Sequence, residues 1–454
     1  MSKSLRSRVG RRLLGLVSVA AAAHAALSPA PAVAADWPAY RRDADRSART
    51  DERLTFPLPA GWTWRSPQRP APAWPEPGRA LNAMDFDYAF QPVVAGGVVY
   101  FGSSADDAVR AVDAATGKPL WTFVAGAPVR FAPHVVGGKC YFASDDGHAY
   151  CLDARTGAQV WSARLGVDDR KLVATGRIAS RWPCRSGVLV AGDVVYVTAG
   201  MWPSEGVYVF ALDAATGRER WCNDTSCYDY LAYPHAPSAA FGGPAPQGYL
   251  LNANGMLLVP TGRCAPAAFD AATGKLAHWT ADPGNRGGTH VTVSGGTMFV
   301  STVAWQPDQT YRLGESPAHR ADSVAAFTVR TGKEEWAYSK SIRNLLVDDP
   351  KAARWRSEVG VGVWGRQRVV FDAAGKRLFA VGNGKVDAID LEGRDGAKRA
   401  WTADFPKSYA EVLCGNALVL GGQDEVVAFD VATGKELWRT AVEGQARGLA
   451  VSDG

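Results

Sequence analysis

Along most of the chain, short runs of alternating apolar and polar residues are broken at regular intervals by glycine pairs or small polar corners. Val93-Val94 and Val98-Val99-Tyr100-Phe101 flank Ala95-Gly96-Gly97; a third run ends at Asp113, and a fourth, after Thr116-Gly117, contains Trp121. Period-two alternation of this length predicts half-buried strands, and corners of this composition predict tight reversals between them. An Asp can accept hydrogen bonds from the turn amides, and a glycine supplies the positive φ that the corner needs. Each such stretch therefore reads as four antiparallel strands.

The pattern repeats. The segment from Ala111 to Trp121, with Asp113, Thr116 and Gly117 at its corner, returns at Asp153…Trp161, Asp213…Trp221 and Asp430…Trp438. Three copies are looser: Asp270…Trp279 has one extra residue, Thr328 replaces the Asp before Trp336, and Asp390…Trp401 has a stretched turn. Repetition of a four-stranded unit predicts an all-β propeller in which each unit is one blade. Trp121, Trp161, Trp221, Trp279, Trp336, Trp401 and Trp438 are then structural plates packed between neighbouring blades. Gly61-Trp62-Thr63-Trp64 resembles the last strand of a further blade, and residues 448–454 resemble its first. This predicts an eight-bladed ring with an incomplete last blade, and since such an end would expose sheet edges, a truncated sequence.

Charge adds a boundary. The net charge of +5 comes wholly from residues 1–35, which hold five basic residues and no acidic one; the remainder has 45 of each sign. A nucleic-acid or anionic-membrane footprint is thus not expected. The basic start, the apolar stretch from Leu13 to Leu27 and Ala32-Val33-Ala34 predict an export signal over 1–34, an N-terminal extension over 35–60 and the propeller over 61–454. The apolar stretch is shorter than the ~20 residues needed to span a bilayer, so no transmembrane span is expected, and the location is periplasmic or extracellular. Seven cysteines in an exported chain leave at least one unpaired. Cys140 with Cys151, across a hairpin, and Cys222 with Cys227 are the plausible pairs, and no structural zinc pattern exists.

The Ala-x-Asp-x-x-Thr-Gly-x-x-x-Trp unit resembles the pyrroloquinoline-quinone (PQQ) repeat of quinoprotein alcohol dehydrogenases and of the β-propeller subunit of the outer-membrane assembly machine. The segment Asp36-Trp37-Pro38-Ala39-Tyr40-Arg41-Arg42-Asp43 is similar to the start of many exported proteins with these repeats. The resemblance covers about residues 36–454 and implies the fold more than an activity, because the motif is structural.

Propeller topology makes loop length informative. The first-to-second and third-to-fourth turns, all short, share one face; every long insertion (about 165–186, 222–247, 303–322 and 340–366) falls on the other. Long loops on a rigid scaffold concentrate binding residues. The candidate ligand or partner face therefore comprises Arg181, Trp182, Arg185, Trp202, Glu205, Tyr228, His235, Gln247, Arg263, Trp305, Trp364 and Arg366. Aromatic plates beside guanidinium forks suit a planar, anionic or carbohydrate-like ligand, or they pin the loops to the scaffold.

Catalytic signatures are sparse. The resemblance to quinoprotein dehydrogenases implies an adjacent Cys-Cys pair over the quinone, calcium-binding carboxylates and a catalytic Asp; no two cysteines here are adjacent, and Asp85, Asp87 and Glu205 are the only candidate carboxylates. No catalytic residue and no metal site is assigned. The expected function is a non-catalytic exported propeller binding a protein, polysaccharide or small molecule through its insertion-rich face. The alternatives are a dehydrogenase dependent on PQQ and calcium, with cofactor over the central channel, and the propeller portion of a longer multidomain protein.

Overall fold

In a computed structural model, the described residues are 36–74, 84–174, 176–232, 239–261, 264–279, 289–302, 323–335, 368–382, 384–393 and 396–453. They build seven blades of antiparallel strands in sequential order, at 93–124, 134–164, 189–223, 251–278, 291–328, 368–404 and 410–445. Six blades show four strands, and blade 5 shows three among its described residues. Among the described residues no eighth blade forms: residues 61–66 and 446–453 lie outside strands. The first strands of neighbouring blades lie side by side, which places them around the propeller axis. No helix among the described residues is long and apolar enough to cross a membrane.

The repeat motif is one interlocking joint. In the corner, Asp113 Oδ1 accepts the Thr116 amide at 2.8 Å and the Thr116 hydroxyl at 2.6 Å. Just before the corner, a bulge in the strand pairing sets Trp121 opposite Ala111, so the alanine of the motif is the small seat beneath the indole. The indole then reaches the next blade, where its Nε1–H donates to Ala154 O at 2.9 Å. Its ring lies on the Gly157 corner, where an added Cβ would come within 2.7 Å of the ring. The joint recurs from Trp161 to Ala214 O (3.0 Å), from Trp221 to Ala271 O (3.3 Å) and from Trp401 to Val431 O (3.1 Å).

In the fourth copy the joint moves by one residue, while Trp279 packs against the core shared by blades 3 and 4. The extra residue in the fourth copy moves Trp279 out of register, and His278, at the same eight-residue spacing from its Asp, pairs with Ala268 and reaches Val329 O at 2.8 Å. Trp336 lies outside the described residues. Trp438 packs beside Phe56, with ring centroids 6.0 Å apart. Trp62 sits outside any strand yet donates to Ala114 O at 2.7 Å, the same joint onto blade 1.

The cysteines are all free. Strand register explains the expected hairpin pair: Cys140 faces Leu152 and Cys151 faces Tyr141, which puts the two thiols on opposite sides of the sheet. Cys222 and Cys227 likewise join different interblade cores.

The axis is filled by the chain itself. Residues 36–50 form a hairpin that touches the inner side of every blade. Trp37 pairs with Val94 of blade 1, and Pro38 O accepts from Val135 of blade 2. Arg46 Nη2 donates to Val188 O, leading into blade 3, and Ala44 O accepts from Asn252 of blade 4. Arg41 reaches Thr292 of blade 5 and Val369 O of blade 6, and Ala48 O accepts from Leu413 of blade 7. Arg41, Arg42, Arg46 and Ala48 take left-handed φ of 53–78° to make these turns. Three of the four carry guanidinium groups whose donors the hub uses, which a glycine could not supply.

Two outcomes follow from this packing. Gly157 (φ +72°) is covered by the Trp121 ring, whereas Gly137 (φ +59°) has nothing within 4 Å of an added Cβ. In urea unfolding, Gly157→Ala should therefore lose about 2 kcal/mol more than Gly137→Ala, which carries only the conformational penalty. The second concerns His134, whose Nδ1 accepts from the Val190 amide at 3.1 Å and must be unprotonated to do so. Burial, reinforced by Arg46, pulls its pKa down to about 3. The unfolded imidazole titrates near 6.5, so the unfolded chain binds the extra proton between those values. Stability from this group is complete above about pH 6.5 and falls as pH drops toward 3, by up to about 1.4 kcal/mol per unit. Unfolding curves at pH 7, 6 and 5 should show a shallower decline in His134→Asn than in the wild type.

Candidate functional site

The insertion-bearing face is built in two layers. Beneath lies a buried charge cluster. Arg130 spans Asp145 (2.6 Å) and Asp87 (2.7 Å), and Arg185 lies 3.0 Å from the other oxygen of Asp145. Arg130 also donates to Ala71 O, and Asp87 accepts from the Ala73 amide, so the cluster ties residues 71–74 onto blades 1 and 2. Burial pushes the Asp87 carboxyl upward in pKa, against the pull of Arg130.

Above it, three of the expected face residues form a knot. Arg181 is ion-paired with Glu205 and lies over the Trp182 ring at 5.6 Å, while Trp182 Nε1 donates to Glu205 O at 2.7 Å. The knot fastens the connection after blade 2 to the short 3-10 helix Pro203–Glu205 of blade 3. Trp182 is 3% exposed and Arg185 equally buried, so both act from inside the scaffold. Gln247 Oε1 accepts from Met84 and holds the segment that leads to blade 1. His235, Arg263, Trp305, Trp364 and Arg366 lie outside the described residues.

Several large apolar side chains on this face are exposed to solvent. Trp202 is 54% exposed and meets Trp74 edge-on at 6.3 Å. Beside the 3-10 helix runs a two-stranded hairpin, Asp229–Ala232 with Ala239–Gly242, on which Tyr228 stacks with Phe241 at 4.4 Å and Tyr230 is 67% exposed. A second hairpin, Lys171–Ala174 with Arg177–Ser180, pairs Val173 directly with Ile178, and these are 77% and 65% exposed. Each hairpin is a two-stranded sheet of its own. Val173, Ile178 and Phe241 were not singled out in the sequence; the signal available was an apolar run inside a connection that should otherwise be polar.

At the axis, on the same face, Tyr40 stacks on Tyr249 at 3.7 Å and Arg46 lies over Tyr249 at 5.5 Å. Glu411 is gripped by Arg41 and Arg368; burial alone would raise its pKa, but the two guanidiniums hold it below the usual range. Asp85 lies 3.3 Å from His290 and 3.6 Å from Arg447.

A family described as outer membrane protein assembly factor BamB matches residues 63–225, 209–400 and 382–454. The chain belongs to this family of PQQ-repeat propellers. BamB of Burkholderia pseudomallei is 28% identical over 331 residues, covering 71% of this chain and 68% of that protein. The dehydrogenase subunit of the quinone alcohol dehydrogenase of Gluconacetobacter polyoxogenes is 31% identical over 141 residues, 29% of this chain and only 19% of that subunit. The chain therefore matches about a fifth of the length of that relative. The quinohemoprotein alcohol dehydrogenase of Comamonas testosteroni superposes with a TM-score of 0.56 at 16% identity, over 91% of this chain and 74% of that one, which shows a common fold.

The described residues at the axis do not fit a quinone held with calcium. Tyr40, Tyr249 and Arg46 are packed on one another, and the nearby carboxylates of Glu411 and Asp85 are held by cations of the chain. Among the described residues no three His, Cys, Asp or Glu side chains converge as ligands. Such carboxylates have little capacity left for a hard cation.

These placements separate two kinds of residue by stability. Arg185→Ala leaves Asp145 with a buried charge short of a partner and should lower unfolding free energy by about 3–5 kcal/mol. Trp202→Ala, at an exposed position, should change it by less than about 0.5 kcal/mol. Thermal melts of the two variants side by side check the contrast.

Proposed function

We propose that this protein is an exported, non-catalytic propeller that holds a partner protein on its insertion-bearing face. The observation that carries the reading is the pair of solvent-facing hairpins, which present Val173, Ile178, Tyr228, Tyr230 and Phe241 beside Trp202. Exposed apolar side chains on a rigid frame mark interaction surfaces, and a short hairpin offers sheet edges that a partner strand can join. Membership of a family described as an assembly factor for outer-membrane proteins supports a protein partner, and one engaged in that assembly. The basic start, the apolar stretch and the Ala32-Val33-Ala34 site support export, with the mature chain beginning at Ala35.

The ring closes, on this reading, around an eighth blade position. Trp62 makes the interblade joint onto blade 1, and Leu449, Ala450 and Val451 pack against the blade 7 core beside Trp37 and Val94. These two segments are the outer and inner strand positions of that blade.

A photocrosslinking residue at position 230 should capture the partner in the periplasm. Val173→Asp combined with Ile178→Asp should abolish co-purification while leaving the melting temperature within a degree or two of wild type. Undiminished co-purification would sink the proposal. Dye-linked alcohol oxidation with added PQQ and calcium is expected to show no turnover; turnover would favour the dehydrogenase reading instead.

A further inference from the structure

The two buried charge clusters differ in balance. Under the insertion face, Arg130 and Arg185 meet Asp87 and Asp145, two of each sign. At the axis, a small cavity is lined by Arg41, Arg46, Arg368 and His290 together with apolar, threonine and tyrosine side chains, and no carboxylate lines it among the described residues. Glu411 is the carboxylate in contact with this group, and it is shared by Arg41 and Arg368. Asp85 is engaged by His290 and Arg447, and Asp43 accepts from the Ser47 amide on the far side of the hairpin turn.

The donors can be followed one by one. Arg46 gives its hydrogen bonds to four backbone carbonyls, of Leu250, Tyr40, Asp43 and Val188. Arg41 gives four hydrogen bonds, to Glu411, Thr292 and the carbonyls of Arg46 and Val369. Arg368 bonds Glu411 through Nη1 at 3.3 Å, while its Nε is buried and has no hydrogen-bond partner among the described residues. Carbonyl oxygens satisfy N–H groups but carry no net charge; Glu411 is the one carboxylate bonded to Arg41 and Arg368, while Asp43 and Asp45 act on Arg46, and Asp85 on Arg368, through space. Burial drags Arg46 down to about 10 against the upward pull of its anionic neighbours, whereas Arg368, despite its burial, is held above the usual range by Glu411 and Asp85. A buried surplus of charge is costly unless a counter-charge joins it, and guanidinium N–H groups are strong donors to anions.

We propose that this cavity is a binding site for one small inorganic anion of chloride size, with Arg368 Nε as its principal donor and Arg41 and Arg46 supplying the field. Size limits the class: the free space is about that of a single water molecule, so a monatomic anion enters only as the lining side chains give way slightly, and a phosphate would need far more room. The anion acts as a structural counter-ion where the hairpin tip meets blades 5 and 6, so its occupancy sets how firmly the hub is seated. The site lies at the axis and is argued independently of the hairpin face, so either proposal can fail without the other.

The test uses the full chain. Melting temperature is followed at constant ionic strength while sodium gluconate is replaced by sodium chloride, with phosphate as the size control. The expected result is a rise with chloride that saturates, no saturable rise with phosphate, and at least a tenfold weaker chloride response in Arg368→Gln. Should that variant not fold, Arg368→Lys, which keeps a charge toward Glu411 but lacks the Nε donor, should show the same weakening. Crystals grown in bromide should show anomalous density within hydrogen-bonding reach of Arg368 Nε. Superimposable chloride and gluconate curves, an equal response in wild type and variant, or bromide absent from that position would each overturn the proposal.

Discussion

Everything in this propeller hangs on an indole lying across a glycine. The corner glycine adopts a backbone that favours it, and the ring from the preceding blade then occupies the space where any side chain would stand. The indole N–H satisfies a carbonyl at the same corner, and Tyr100, Tyr141 and Tyr196 each send a hydroxyl to those same acceptors. Shape, hydrogen bonding and apolar burial therefore meet at one point in each of the four interfaces where the indole joint is described. Because the ring always points to the following blade, the joint also fixes the order in which blades stack.

A ring of such joints leaves a problem at its centre. The first strands present one edge to the axis, and unpaired backbone groups there would be buried without partners. The hairpin of residues 36–50 meets that requirement by offering carbonyls, amides and arginine donors to all seven blades. It does so by bringing more positive than negative charge inward, whereas the cluster under the insertion face is balanced. The two sites thus solve different problems: one fastens loops, the other fills a hole.

How much of this was legible follows from what each feature depends on. The blade, its corner and the indole plates could be read because they are local and repeat. In the fourth copy residue type led to Trp279, which packs against the core of blades 3 and 4, whereas counting eight from Asp270 leads to His278, which makes the joint. The disulfide between Cys140 and Cys151 failed for a reason of register, since residues that flank a hairpin turn can still face opposite sides of the sheet. Trp182 and Arg185 lie on the expected face but inside it, because an insertion needs its own anchors before it can present anything. The hub was read only as an extension; its contacts join residues hundreds of positions apart, and no local pattern announces them.

That distance has a consequence for how the molecule comes into being. Arg41 is bound to Glu411, 370 positions away. Chains emerge from the ribosome amino end first, so the axle is made before any of the spokes. It cannot be seated until the seventh blade supplies Glu411 and Leu413, and non-local closure of this kind is slow. Until then four arginines between positions 41 and 49 are left in water, and the inner edges of the finished blades stay open. Seating the axle is thus a completeness check written into the fold: a ring lacking its seventh blade leaves its own centre unfastened.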